Sequence, residues 1–383
     1  MKKQKLMIVT PYFYPKIGGM ENYAYNIAKG LKQKYRYEIV VVTSNHEDNQ
    51  YKEETLEGMK IYRLPRQFKI SNTPISFKWK KQIKEIIKKE KPDVINAHTP
   101  VPFISDVTAR VAHKEEIPFV LSYHSVSLYK KNNYLANFLI FLYYHLLEKK
   151  TLKFSNKILP VSEFVKQRFP NRIKKKSIVL PNSINAKNIL PIKKDDKRNN
   201  QVVFLGNLDK THEWKGLEQI IKSIDYYINN FSKKIKLVVV GEGNNKEFYK
   251  QLVKNLKLDN YVKFVGAKFG KEKNKLIQES KILITYPYTE NDAFPTIFLE
   301  GWANNVPIIA SNIGAISYLM KHKENGYLIP PNNPKKLSEG IYELIKNDNL
   351  RNILIKEGNS NVKNFTWDIQ TKKLNDILRD ILR

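Results

Sequence analysis

Residues 286–301 read Tyr286-Pro287-Tyr288-Thr289-Glu290-Asn291-Asp292-Ala293-Phe294-Pro295-Thr296-Ile297-Phe298-Leu299-Glu300-Gly301, with a strand-like run before them. Pro295 is well placed to begin a helix, which leaves Asp292 in the preceding loop and Glu300 a turn or more inside. Carboxylates in those two places can hold sugar hydroxyls on one side and ribose hydroxyls on the other. An acid favoured by the helix dipole and a plain surface glutamate are the alternative. A second candidate is Lys215, just before Gly216 and at the start of a helix beyond a strand end. A cation there can neutralise a diphosphate and lower the barrier to its departure, or be a solvated helix-start lysine. A third is the pair Gly18 and Gly19, between the first strand and its helix. Paired glycines let backbone N–H groups approach an anion at a helix N-terminus, and also serve as an ordinary tight turn.

Other chemistries lack their residues. No G-x-G-x-x-G follows a strand, and the phosphate-loop pattern ending in Gly-Lys-Ser/Thr is missing. No Asp-x-Asp and no His/Asp cluster at metal-ligand spacing occurs, so no metal site is expected. No G-x-S-x-G elbow supports a serine nucleophile. The absence of cysteine excludes disulfides and thiolate metal sites.

The elements that must position these residues alternate along the whole chain, in the pattern of parallel βαβ units. Strands are expected at 6–10, 38–43, 93–97, 119–123, 157–161 and 178–180, with helices near 20–34, 77–90, 101–114, 134–154 and 162–169. A polar, weakly periodic stretch at 186–200 reads as a linker. The alternation restarts with strands at 202–205, 237–240, 262–265, 282–285 and 307–310, and helices near 215–229, 246–256, 271–279, 296–304 and 334–346. The fold class is α/β, with two doubly wound sheets in tandem. The first domain covers 1–185 and the second 201–365, and the tail 366–383 is a candidate to pack back on the first. Ligands of such sheets sit at the carboxyl ends of the strands, so a cleft between facing domains is the expected site.

The 383 residues suit two such domains, and 42% hydrophobic content is normal for a folded soluble protein. No apolar run reaches the roughly 20 residues that span a bilayer, and the apolar run at the amino terminus is too short for a signal peptide. The expectation is a cytoplasmic protein, a candidate for peripheral attachment to the inner face of the cell membrane. The net charge of +30 points to anionic small substrates, an anionic membrane face or nucleic acid. Lysine is spread along the chain rather than gathered in one arm with aromatics, which argues against nucleic acid. Segment 134–147 is rich in Leu, Phe and Tyr. It suits a buried crossover helix, or one resting its aromatic face in a membrane interface beside Lys130, Lys131, Lys149 and Lys150.

Several motifs together give a more specific reading. Gly18–Asn22 after the first strand, THEWKG at 211–216, VVVGEGN at 238–244, DAFPTIFLEGWANNVPIIASNIGA at 292–315 and NGYLIPP at 325–331 occur in an order and spacing that resemble glycosyltransferase family 4. That family has the GT-B architecture of two facing Rossmann-like domains. The resemblance implies a retaining transferase that moves a sugar from a nucleotide-diphosphate sugar to a glycan or lipid-linked acceptor, with no cofactor and no metal. On this resemblance Gly18 and Gly19 face the donor diphosphate and sugar, and Lys215 takes the diphosphate-binding role. Glu300 holds the ribose, and Asp292 stands where the paired-glutamate motif has its first glutamate, near the transferred sugar. His124, in Leu121-Ser122-Tyr123-His124-Ser125, matches a histidine beside the reaction centre. Phe294, Pro295 and Thr296 contact the sugar, although Pro295 has no N–H to give. Asn207 occupies the place of an arginine in many relatives, so one diphosphate cation is absent or replaced by Lys210. Ser317 and Tyr318 stand where relatives often carry Pro-Glu. His98 either lines the cleft or is a hydrogen-bonded residue at a strand end. His212 helps a phosphate or caps its loop.

The expected products are cell-envelope polysaccharide or glycolipid, and the loops 45–55, 66–75 and 125–133 are expected to choose the acceptor. Rival readings are a non-catalytic nucleotide-sugar-binding protein and an epimerase or phosphorylase on the same architecture.

Overall fold

The computed structural model describes residues 3–16, 18–70, 73–99, 102–126, 133–191, 198–231 and 234–383. Most strands are runs of β-branched and aliphatic residues buried on both faces, as parallel strands covered by helices require, whereas Lys52–Leu56 is polar and Phe68–Ile70 exposed. In the first half these are β1 (Lys5–Thr10), β2 (Glu38–Ser44), β3 (Lys52–Leu56), β4 (Met59–Leu64), β5 (Phe68–Ile70), β6 (Thr73–Ile75), β7 (Val94–Thr99), β8 (Phe119–Tyr123) and β9 (Lys157–Pro160). In the second they are β10 (Asn199–Leu205), β11 (Lys236–Val240), β12 (Val262–Phe264), β13 (Ser280–Thr285), β14 (Ile308–Ser311) and β15 (Tyr327–Ile329).

The chain divides into two compact units, Met1–Ser183 with Trp367–Arg383, and Ile184–Thr366. The sheet of the first runs β3-β4-β2-β1-β7-β8-β9, parallel except for the β3–β4 pair. The sheet of the second runs β12-β11-β10-β13-β14-β15, parallel throughout. In chain order that is 3-2-1-4-5-6, the doubly wound arrangement whose direction reverses between its first and fourth strands. Residues 206–216 follow β10 and residues 286–296 follow β13, so both candidate loops leave the carboxyl ends of the strands that flank this switch point. In the first unit the reversal falls between β1 and β7, where Gly18 and Gly19 follow one strand and His98 stands on the other.

Three expectations need correction. The segment 178–180 is not a strand: Ile178 and Leu180 donate their N–H groups to Ile158 and Pro160 of β9, and the contact is a single bridge. The helix expected over 134–154 is α-helical at Tyr134–Tyr143, passes through a π-helical turn at Tyr144–Glu148 and resumes at Lys149–Phe154. The hairpin β3–β4 was not expected, because the edge strand Lys-Glu-Glu-Thr-Leu is polar. Its signal is the two-residue turn Glu57-Gly58, where both φ angles are positive, the geometry that suits a tight hairpin. Lys130, Lys131 and parts of the stretches 66–75, 125–133 and 186–200 lie outside the described residues.

The helix Trp367–Ile381 inserts Leu374, Ile377 and Leu378 into the core of the first unit, beside the helix Gly19–Tyr35. Approach is close: a Cβ on Gly30 would stand 2.5 Å from Thr371 Oγ1.

Candidate active site

In the second unit the loop after β10 is zipped to the loop after β11. Leu208 N–H donates to the Glu242 carbonyl, Asn245 N–H to the Leu208 carbonyl, and Asn244 N–H to Asp209 Oδ1 at 2.8 Å. Lys210 N–H donates to Asn244 Oδ1 at 2.9 Å, and Asn207 Oδ1 accepts from Asp209 N–H at 2.7 Å. Asn207 and Lys210 are exposed, and the Asn207 side chain also bonds the Asp209 carboxylate. Residues Lys210–Lys215 then make a 3₁₀ turn ending at Gly216, whose φ is +79°. A Cβ on Gly216 would collide with the Tyr286 carbonyl oxygen, so glycine is required both by conformation and by close approach. This contact draws the loops after β10 and β13 together, and Tyr288 N–H donates to the Trp214 carbonyl at 3.0 Å.

Lys215, half-buried with its ammonium 5.7 Å from the Trp214 ring centroid, stands within electrostatic range of Asp292. Burial raises the Asp292 carboxyl above its usual range, against the opposing pull of Lys215 and of the Phe294 N–H that Asp292 accepts. Phe294 and Pro295 are buried and Thr296 is exposed. The helix begins at Ile297 with Thr296 as its N-cap, and Glu300 is in its first turn. Glu300 does not stand alone: its Oε1 meets the Lys273 ammonium at 2.8 Å. The loop after β14 turns at Gly314, φ +56°, and packs against the Glu290 backbone. Ser317 Oγ donates to Asn312 Oδ1 at 2.8 Å, and Tyr318 is exposed.

The first unit carries a different set of groups. Gly18 is extended and Gly19 opens the helix Gly19–Tyr35. The space on Gly18 where a side chain would start is taken by the Glu21 carboxylate, whereas that on Gly19 is open. Burial raises the Glu21 pKa, and Lys16 opposes it; Lys16 lies 3.0 Å over the Tyr12 ring with its own pKa lowered by burial. At the carboxyl ends of β7 and β8, His98 Nδ1 and His124 Nε2 are 3.1 Å apart. Their rings are stacked, 13° from parallel. Tyr23 meets both in edge-to-face geometry, with centroids 4.7 Å from His124 and 5.7 Å from His98. Burial pushes the His124 pKa down to about 3 and holds His98 well below the usual imidazole range, so both rings are neutral near pH 7.

A family model described as "Glycosyltransferase Family 4" matches residues 17–188, and one described as "Glycosyl transferases group 1" matches 185–361. Between them they run from the glycine pair of the first unit through the carboxylates of the second. The chain belongs to glycosyltransferase family 4. An uncharacterized glycosyltransferase of Methanocaldococcus jannaschii is 28% identical over 365 residues, covering 94% of each chain. A phosphatidyl-myo-inositol mannosyltransferase of Mycobacterium tuberculosis is 18% identical, covering 97% of this chain and 95% of that one. Anabaena HepE, solved in complex with UDP, superposes with a TM-score of 0.78 at 15% identity, covering 98% of this chain and all of HepE. The chain is thus an enzyme, a glycosyltransferase with the GT-B fold.

Within this transferase, Asn207, Lys210, Lys215, Asp292, Phe294, Pro295, Thr296 and Glu300 all lie on loops or first turns at the carboxyl edge of the second sheet. Gly18, Gly19 and His124 lie at the carboxyl edge of the first. Sequence reading missed Glu21, Tyr23 and Lys273. Tyr23 and Glu21 carry a faint signal, since both fall on the first turns of the helix that follows the glycines. Lys273 carries none, because it comes from a separate helix, Gly270–Gln278. His212 is bonded through Nδ1 to Thr211 Oγ1 at 3.2 Å, and burial lowers its pKa.

Proposed function

We propose that this glycosyltransferase moves a hexosyl group from a nucleotide-diphosphate sugar, with retention at the anomeric carbon, to a lipid-linked or glycan acceptor. The observation that carries this reading is the arrangement of Lys215 and Asp292 at the switch point of the second sheet. A fixed ammonium there offsets the charge that grows on a departing diphosphate. The carboxylate beside it is placed for sugar hydroxyls, and Glu300 further along the same segment for the ribose. In the transfer, the bond from the anomeric carbon to the diphosphate breaks through an oxocarbenium-like state. The acceptor oxygen bonds to the same face, and its proton passes to the leaving phosphate oxygen. Lys215, aided by Lys210, stabilises the leaving group. The amide of Gly19, whose side-chain position is open, is the better placed of the two glycines to meet an anion. His124 orients the sugar or the acceptor. The reading needs neither cofactor nor metal, since the sequence offers no Asp-x-Asp, and activity is expected to survive EDTA.

The nucleotide is expected to be one of the common donors. Anabaena HepE binds UDP and a relative is a mannosyltransferase, which makes UDP-glucose and GDP-mannose the first two to try. A thermal-shift series with these and other nucleotide sugars tests the reading, because binding to the native form raises Tm by mass action. No shift with any donor would refute it.

For the acceptor, the first unit supports a lipid-borne substrate. Tyr134, Leu135, Phe138, Leu139 and Phe141 are exposed on the helix Tyr134–Tyr143. Among the described residues no helix is long and apolar enough to cross a membrane. An exposed aromatic face beside Lys149 and Lys150 suits an anionic interface. Nearby, a cavity of about 740 Å3 is lined by Ser125, Tyr144, Glu148, Arg168, Arg172 and Lys176 among others, mixing aromatic with cationic groups. We place the protein on the inner face of the cell membrane, in cell-envelope polysaccharide or glycolipid synthesis. Sedimentation with anionic and with neutral liposomes tests this, and equal recovery with both would remove its support.

A further inference from the structure

Two histidines at the ends of adjacent parallel strands share one hydrogen bond, and that bond constrains both rings. Both are neutral near pH 7, so each carries one proton, on Nδ1 or on Nε2. The contact joins His98 Nδ1 to His124 Nε2, so only one of those two nitrogens bears a proton. His98 is fully buried, and its outer nitrogen, Nε2, has no hydrogen-bond partner. If His124 were the donor, His98 would have to carry its proton on that enclosed Nε2, leaving a buried N–H with nothing to accept it. If His98 is the donor, Nε2 is a bare lone pair. An orphaned buried N–H is the rarer of the two defects in folded proteins. The second arrangement therefore wins. His124 then accepts at Nε2 and carries its own proton on Nδ1, which is bonded to none of the described residues on a half-buried side chain.

We propose that His98 is a positioning residue that fixes His124 as the Nδ1–H tautomer, so that His124 offers substrate a neutral hydrogen-bond donor and not a base. The surroundings hold this arrangement. The His98 carbonyl accepts Ser105 Oγ at 2.6 Å, the His124 N–H donates to the Thr99 carbonyl at 2.9 Å, and the Tyr23 ring packs against both imidazoles. Trp367, 5.6 Å from Tyr23 by ring centroids, packs edge-to-face with it from the terminal helix. A donor at this place suits a sugar hydroxyl, whose lone pair it would hold as the anomeric bond stretches. The inference rests on the reading of His124 as a substrate-facing residue.

The test is a two-bond 1H–15N spectrum of the imidazoles of the full chain, with histidines assigned by single substitution. His124 is expected to show a protonated Nδ1 and an unprotonated Nε2 in the wild type, and a protonated Nε2 there would overturn the proposal. His98→Leu removes the donor and is expected to move His124 toward the Nε2–H tautomer; an unchanged spectrum would also overturn it. If His98→Leu does not fold, His98→Asn decides, since its amide can stand at the place of Nδ1 and donate. It should keep the Nδ1–H tautomer, and a switch would count against the proposal. Breakdown of UDP-glucose and GDP-mannose is followed in parallel. His98→Leu is expected to lower kcat about tenfold, the size of one lost hydrogen bond, with the donor KM unchanged and with most of the loss recovered in His98→Asn. Full activity in His98→Leu beside a crippled His124→Asn would sink the positioning role. Full activity in His124→Asn would instead sink the reading of His124 itself, whatever the spectrum shows.

Discussion

The two sheets carry different polar groups at their carboxyl edges. The second unit sets ammonium groups near carboxylates: Lys215 near Asp292, whose carboxyl pKa burial raises, and Lys273 on Glu300. The first unit sets two histidines held neutral by burial at that edge, while the pKa of its Glu21 carboxyl is raised by burial as that of Asp292 is. The lesson is a division of labour. On the proposed function, fixed charges act on a group that becomes charged during reaction, whereas neutral donors and acceptors select a substrate that stays uncharged.

The comparison breaks most visibly at Lys215. Lys215→Ala should reduce turnover of a nucleotide-sugar donor by about 10²–10³-fold with Tm unchanged, as loss of one transition-state cation or donor does elsewhere. Near-normal turnover would remove the charged half of the contrast. Next in size is Leu378→Ala in the terminal helix, expected to cost about 3 kcal/mol in urea unfolding, because Leu378 is fully buried in the first core. A loss of under 1 kcal/mol would mean that this helix contributes little to the unit that holds the histidines.

Acidity tests the uncharged half. The folded pKa of His124 is depressed to about 3, while the unfolded ring titrates near 6.5. Between those values the unfolded chain binds the extra proton, so stability is full above pH 6.5 and falls as pH drops toward 3. The slope is about 1.4 kcal/mol per pH unit for each such ring. Urea unfolding at stepped pH should show this limb, and His124→Asn should flatten it. Glu148 works the other way, its carboxyl pushed up to about 7 by burial, with the Tyr123 hydroxyl donating to it at 2.7 Å. Its folded pKa is above the unfolded one, so stability is present at low pH and is lost as pH rises from about 4.5 through 7. Glu148→Gln should stabilise the protein at pH 8 by about 1 kcal/mol. The smallest expected effect is at Lys273. Lys273→Ala should change donor KM by about threefold, consistent with a modest, half-exposed ion pair.

Much of this was legible in the residues. The parallel strands announced themselves through runs such as Val202–Leu205 and Leu237–Val240, which a sheet buried on both faces demands. The order of motifs led to the family. That Asp292, Lys215 and Glu300 fall at the carboxyl edge of one sheet was readable because each sits at a fixed offset from a strand end, so local spacing carried the signal. What stayed hidden depends on contacts between distant segments. Nothing near Glu300 betrays Lys273, and nothing near His124 states that His98 stands 3.1 Å away. One clue was missed: both histidines fall at the ends of consecutive strands, and parallel pairing of β7 with β8 brings such ends together. The hairpin β3–β4 escaped because its edge strand is polar, and Phe-, Leu- and Tyr-rich 134–147 looked like one continuous helix because a π-helical turn leaves no mark in apolar periodicity.

The path of the chain through its two units has a consequence for biosynthesis. Residues 184–366 are strung between the body of the first unit and the helix Trp367–Ile381 that completes its core. On a ribosome, at ~5–20 residues per second, the first sheet must wait on the order of ten to forty seconds for that final piece, while the later-made unit can already close. The part translated earliest is thus finished last. Its exposed apolar flank during that interval is where a chaperone would find purchase.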